Sequence, residues 1–575
     1  MFFLLRKLSE SVVNLYQVYL KRYVYLAFFF LFCLVQAKSF PLEQVVPGLS
    51  GYALTAGAGN LIERFPVQVL GVQQDAGTGF PLVLVKASGP FIEQTGGVAA
   101  GMSGSPVYLP GSQGDELLGA IAYVFPSSDH SLALVTPIEI MRGVKLSALS
   151  YLPSGPDFAK FGEVVPVATP ILMSGLSDRA AKVIGPLFKN TQLSAFPVQL
   201  AGVAGWDETA YRLEPGSAIS VQLVKGDVTL AAVGTVTAIE NDIIYAFGHP
   251  FFGEGEVSFA FAPAFISYIV PSDVVPFKLA NNGFSLLGTI HEDRPPAIVG
   301  TLGTEPAFLP VTLTLQGSGD SLTKRFEISN DERYYAPLLA SAIVQLFDEA
   351  YQKVAAGTAD LAWEISLSNG TVVRVLEQIT DPGDIAGITA GLAAEPLQIL
   401  ADNIFQKVEI ERVALNISYE ETERYADIVE LVADQEELQK GEALTLHIRL
   451  QPYRKDPEVK TIRLELPEEA EGSLDITVRG GMEGSDGNAP DGEPILSFAE
   501  LVAALNDNIE SSELIVETYI DGEPKRLERL RFPYLIQGEE SFTVQILDEE
   551  GETTDTSNDP EPKEAEPDDS EMMLP

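Results

Sequence analysis

The chain has one cysteine, Cys33, in 575 residues. That excludes a disulfide framework and any cysteine-based zinc site. Histidine is nearly as scarce. His130, His249, His291 and His447 are the full set, too few and too scattered for a poly-histidine metal centre, so no metal is expected. Basic residues are also short: 37 Lys+Arg stand against 81 Asp+Glu, a formal net charge of −44. A nucleic-acid binder needs clustered Lys and Arg to displace counterions, so that class is excluded. Charge-driven adsorption to anionic lipid is excluded on the same ground. No phosphate-binding loop and no dinucleotide fingerprint is present, so no cofactor is expected.

What is present is an ordinary globular composition, 46% hydrophobic and 21% charged. The length allows about three or four domains at roughly 150 residues each. The acidity is uneven. Residues 408–575 hold 44 acids and 14 bases, whereas residues 1–407 hold 37 acids and 23 bases. Residues 23–35, YVYLAFFFLFCLV, are an apolar run of 13. Lys21 and Arg22 precede it, and small residues suited to a signal peptidase end at Ala37. This pattern predicts a secretory signal peptide over 1–37 and an exported protein of the bacterial periplasm or cell envelope. The run is short for a span of the bilayer. The long leading stretch keeps an uncleaved N-terminal anchor as the alternative, and neither reading gives any other link to a membrane.

Residues 48–142 read as short strands between Gly, Asn, Asp and Gln punctuation. Residues 178–184 suit a short helix, and strands resume over 217–247 and on to 315. Residues 336–356 change to helical spacing, with Leu338, Leu339, Ile343, Leu346 and Phe347 on one face and Gly357 as the expected C-cap. A hairpin turning at Asn369-Gly370 follows, then a helical stretch over 383–405. From 408 the alternation suits an antiparallel sandwich with one wet face. The expected domains are therefore a signal peptide (1–37), a β-barrel domain (38–315), a helix-hairpin-helix segment (316–407), a sandwich-like β domain (408–537) and a disordered acidic tail (538–575). Residues 480–493 carry Asp486, Asn488, Asp491 and Glu493. Pro490 falls where an EF-hand needs a ligand, so a flexible acidic loop is the better reading.

One local feature points to chemistry: Gly101-Met102-Ser103-Gly104-Ser105-Pro106. A serine between glycines on a turn is a common way to present a nucleophile. Backbone N–H groups of Gly101, Met102 and Ser103 can line an oxyanion hole. An unassisted hydroxyl is a weak nucleophile, so a general base is required. His249, in Ala246-Phe247-Gly248-His249-Pro250-Phe251 at the end of an apolar strand, is the first candidate, ahead of His291, His130 and His447. A Gly-Ser turn and a strand-end histidine also occur as plain structure, so spacing alone does not decide.

The string TGGVAAGMSGSP (95–106), followed by LGAIAYVF (118–125), resembles the nucleophile region of the SpoIVB-type serine peptidases, the sporulation stage IV B peptidase family. GTVT (234–237), AFGH (246–249), LGTI (287–290) and IVG (298–300) resemble that family's histidine region. The likeness spans roughly 48–305. It implies a mainly β fold, a chymotrypsin-like double β-barrel in permuted order, with Ser103 as nucleophile and His249 as base. Two departures are visible. Ser103 precedes His249, the reverse of the family order, and Ser88 stands where the family carries its catalytic Asp. Asp129, Asp242 and Asp293 are the candidates for a third member, with Asp129 preferred. A PDZ-like segment is also missing ahead of the barrel region.

Two functions follow as expectations. One is an exported serine endopeptidase acting on a protein or peptide substrate. The other is a catalytically inactive envelope scaffold that binds a partner through its C-terminal β domain. A short Ser103–His249 approach backed by a carboxylate favours the first.

Overall fold

The computed structural model describes residues 38–547, apart from 75–76, 113, 126–127, 144–162, 189–192, 198–205, 318–320, 483–493 and 521. The expected signal peptide with Cys33, the acids of the 483–493 loop and the acidic tail beyond Leu547 lie outside the described residues.

Alternation builds the first unit. In β2 (Leu61–Gln73), Phe65, Val67 and Val69 are buried while Arg64, Pro66 and Gln68 face outward. Strands β1 (Ser50–Ala58), β2, β3 (Leu82–Ala87), β4 (Pro106–Gly111), β5 (Gly114–Val124) and β6 (Leu132–Pro137) pair antiparallel in the circuit β1-β2-β3-β6-β5-β4 and back to β1. That is a closed six-stranded barrel, which leaves no free sheet edge. Its core includes Phe65, Val69, Val85, Met102, Val107 and Ile121.

Three short strands follow. β7 (Val165–Pro166) pairs with β5; β8 (Thr169–Ser174) and β9 (Leu193–Pro197) run parallel to each other. A second closed barrel then forms from β10 (Ala218–Gly226), β11 (Thr229–Glu240), β12 (Ile243–Ala246), β13 (Gly255–Val270), β15 (Gly288–Arg294) and β16 (Ala297–Leu302). β14 (Phe277–Asn282) is an added strand on β13. The circuit is β10-β11-β12-β16-β15-β13 and back to β10. Numbered within each barrel, both read 1-2-3-6-5-4. The two barrels share one wiring although the sequence shows no repeat. The molecule is thus mainly β and built around two six-stranded barrels.

The second barrel's sheet continues through β18 (Leu322–Ser329), β17 (Phe308–Gln316), β21 (Ile410–Glu420), β19 (Gly357–Leu367) and β20 (Val372–Asp381). The helix Glu332–Tyr351 packs on this extension with Ile385–Ala393 and Glu395–Asp402. The long helix is capped at its start by Asp331, and ends at Gln352 (φ 52°) instead of Gly357, which opens β19. The stretch 383–405 is two helices because Pro396 cannot continue the first one's hydrogen bonds. The hairpin at Asn369-Gly370 forms, with Gly370 at φ 86°.

Two boundaries differ from the sequence expectation. The strand Ile410–Glu420 belongs to the upper sheet, parallel to β17 and antiparallel to β19. Alternation marks a half-buried strand but does not say which sheet it joins. At the other end, residues 538–547 are not part of a disordered tail. Glu539–Leu547 pairs along its length with Gly472–Gly480, and Val544 and Ile546 face the core. The surrounding acids masked that short alternation. The C-terminal part has a four-stranded sheet and a five-stranded sheet closing over one apolar core that includes Ile448, Ile476, Val478 and Val516. No helix among the described residues is long and apolar enough to cross a membrane.

Candidate functional site

Ser103 lies in the connection from the third to the fourth strand of the first barrel, and His249 in the same connection of the second. The Ser103 turn is shaped by two glycines with positive φ, Gly101 at 87° and Gly104 at 93°. A Cβ on Gly104 would stand 1.8 Å from the Thr235 carbonyl oxygen and 2.7 Å from the Phe247 amide nitrogen. The serine turn is therefore pressed directly against the strand that leads into His249. Phe247 itself has φ 66°, an uncommon conformation for a bulky residue, of the kind that concentrates at functional sites.

Each turn accepts hydrogen bonds from a strand of the opposite barrel. The Thr235 N–H donates to the Ser103 carbonyl (2.8 Å), and Thr237 Oγ1 donates to the Gly104 carbonyl (2.8 Å). From the first barrel, Thr136 Oγ1 donates to the Gly248 carbonyl (2.7 Å). Gly101 N–H donates to Ala168, whose neighbour Val167 presents its backbone to the His249 ring without a well-formed bond to Nε2.

Ser103 is fully buried and His249 is 2% exposed. Ser103 Oγ and His249 Nε2 have no hydrogen-bond partner among the described residues. The two side chains are both buried and are not bonded to each other. His249 Nδ1 lies 2.7 Å from the Pro250 carbonyl oxygen. A carbonyl only accepts, so Nδ1 carries the proton and Nε2 holds the free lone pair. Burial depresses the imidazole to about 4, so the ring is neutral at ordinary pH. Of the three expected oxyanion donors, Gly101 and Met102 already donate to Ala168 and Ala99. The Ser103 amide has no acceptor among the described residues.

Asp129 is not brought to His249. Its carboxylate is half exposed, 3.3 Å from Lys86 Nζ, and accepts from the Ser131 amide. It shares a surface cavity of about 540 Å³ with Ser88 and His130. The loop after β5 leaves it at the surface, a placement that chain order does not reveal. Asp242 is exposed in its turn. Asp293 is the acid nearest the histidine loop. It is fully buried and accepts from the Phe251 (2.7 Å), Phe252 (2.6 Å) and Gly253 (2.8 Å) amides. Burial raises its pKa, against the lowering effect of those amides. It shapes the chain just after His249 and does not touch the imidazole. His291 sits beside Glu292, and exposed His447 lies between Thr461 and Asp434. No group of three or more metal-ligating side chains occurs among the described residues.

Sequence reasoning missed Lys278. This lysine is 1% exposed, and its methylenes run 3.2–3.4 Å from where a Cβ on Gly101 would stand. Nζ donates to Thr55 Oγ1 (2.8 Å) and Thr235 Oγ1 (3.4 Å). The available signal was period two: in Phe277–Asn282, Lys278 alternates with Ala280 on the buried face. Set against known proteins, the chain matches no family model and no curated protein.

Proposed function

We propose that the chain is an exported serine endopeptidase of the cell envelope, with a chymotrypsin-like double barrel in which the serine-bearing barrel comes first. Ser103 is its nucleophile and His249 its general base. The likeness to SpoIVB-type peptidases rests on the quoted strings. The observation that carries the reading is positional. The glycine-flanked serine turn and the best-placed histidine occupy the same connection of two identically wired barrels. In support, Thr136 of the first barrel bonds the His249 loop, and Thr235 and Thr237 of the second bond the serine turn.

The side-chain chemistry supports it. Buried polar atoms are nearly always bonded, so two orphans on adjoining turns call for a functional explanation. Nε2 is an acceptor without a donor, and Ser103 Oγ is a donor without an acceptor. In the reaction, Oγ bonds to the peptide carbonyl carbon as its proton moves to Nε2, and the carbonyl oxygen gains the charge. The imidazolium then returns that proton to the leaving amine, and water releases the acyl group by the same steps. The Pro250 carbonyl holds the tautomer that an aspartate would otherwise hold. Both side chains are sealed, so the turns must part before substrate enters, and catalytic hydrogen bonds often tighten only on binding.

The alternative is a non-catalytic envelope scaffold that binds a partner through its C-terminal sheets. That no carboxylate among the described residues bonds the imidazole favours it. A fluorophosphonate probe on the full chain decides between them. Labelling that disappears in Ser103→Ala and falls at least about a hundredfold in His249→Ala is expected of the peptidase. No Ser103-dependent labelling gives the scaffold.

A further inference from the structure

We propose that Lys278 is a positioning residue for the candidate nucleophile: it holds the Gly101–Ser103 turn between the two barrels. This rests on the peptidase reading for its purpose, but its contacts stand independently. Along the backbone, the Lys278 N–H donates to the Ala100 carbonyl (3.0 Å), and the Ala100 N–H donates to Pro276 (2.7 Å). Along the side chain, the methylenes fill the space left by the missing Cβ of Gly101. At its end, Nζ bridges Thr55 of the first barrel and Thr235 of the second. Thr235 carries the effect onward. Its hydroxyl donates to the Gly101 carbonyl (2.9 Å) and its amide to the Ser103 carbonyl. Thr235, held by Lys278, thus fixes both carbonyls that flank Met102, one through its hydroxyl and one through its amide, and with them the direction of the unpaired Ser103 amide.

The chemistry of the cradle suits an amine and little else. A buried ammonium normally sits against a carboxylate. Among the described residues the only side-chain partners of this Nζ are the two hydroxyls, and no acid faces it from β1, β11, β14 or the serine turn. Burial alone pushes the amine down to about 7. Keeping a lysine here costs stability that methionine would not. A residue retained against such a cost is one whose bonding geometry the site uses.

The test uses the full chain with Lys278→Met, Thr235→Val and Thr235→Ser. Each is followed by thermal melting, by hydrogen exchange of the amides over 99–105, and by the rate of Ser103 labelling with the fluorophosphonate. Lys278→Met is expected to melt no lower than the parent at pH 6. Its turn amides should exchange at least roughly tenfold faster, and labelling should fall by a similar factor. Thr235→Val should reproduce both effects, and Thr235→Ser, which restores the hydroxyl, should stay within about twofold of the parent. Unchanged exchange over 99–105 in a folded Lys278→Met overturns the proposal. If that variant does not fold, the Thr235 pair decides through the same exchange readout. If the parent itself shows no Ser103 labelling, the peptidase reading fails while exchange still judges Lys278.

Discussion

His249 is oriented by a carbonyl where a carboxylate would also raise its basicity. Burial is the main cause of its low pKa, and the Pro250 bond only partly offsets it. The sign is clear. A general base works only when neutral, and with a pKa near 4 this imidazole stays neutral far into acid. Labelling of Ser103 should therefore be flat from about pH 8 to about pH 5.5 and should fall only as pH drops through about 4. A profile with its midpoint near the ordinary value of about 6.5 would show that the working histidine is solvated. Ser103 and His249 were legible as residues, because a glycine-flanked serine and a strand-end histidine are local patterns. Lys278 was much harder to read. A lone lysine in a strand looks solvated until its face is known, and the face is set by packing against the other barrel.

At the scale of elements, the serine turn depends on Gly104. An alanine there must adopt φ 93° and place its Cβ inside the Thr235 carbonyl and the Phe247 backbone. Gly104→Ala should destabilise the chain by at least about 3 kcal/mol, read as a lower urea midpoint, because neither backbone can give way without breaking a barrel strand. Most barrel strands were visible from alternation and turn residues. The misplaced ends have a common cause. Helix and strand signals are one-dimensional, whereas the end of the long helix at Gln352 and the recruitment of Ile410–Glu420 into the upper sheet depend on neighbours far along the chain. Glu539–Leu547 shows the same limit: its three apolar inward positions matter only because Gly472–Gly480 lies beside them.

Over the whole molecule, the net charge of −44 is a self-repulsion that the fold must carry. Ion pairs such as Arg479–Glu517 and Arg529–Glu513 use some of the few bases in the acidic C-terminal sheets. Like charges outnumber these pairs, so screening relieves more repulsion than it removes attraction. Raising NaCl from about 10 mM to about 300 mM should raise the melting temperature, and a fall would mean that the paired charges dominate. The sequence alone carried the protein's mainly β character and the two residues on which a hydrolytic reading rests. All of these follow from composition and from patterns a few residues long. Only the tertiary structure decided that the two barrels share one wiring, that Asp129 pairs with Lys86 at the surface, and that Lys278 packs against the serine turn. The reason is that each of these depends on contacts between residues distant along the chain, some more than a hundred positions apart, set by strand pairing and packing that no local spacing records.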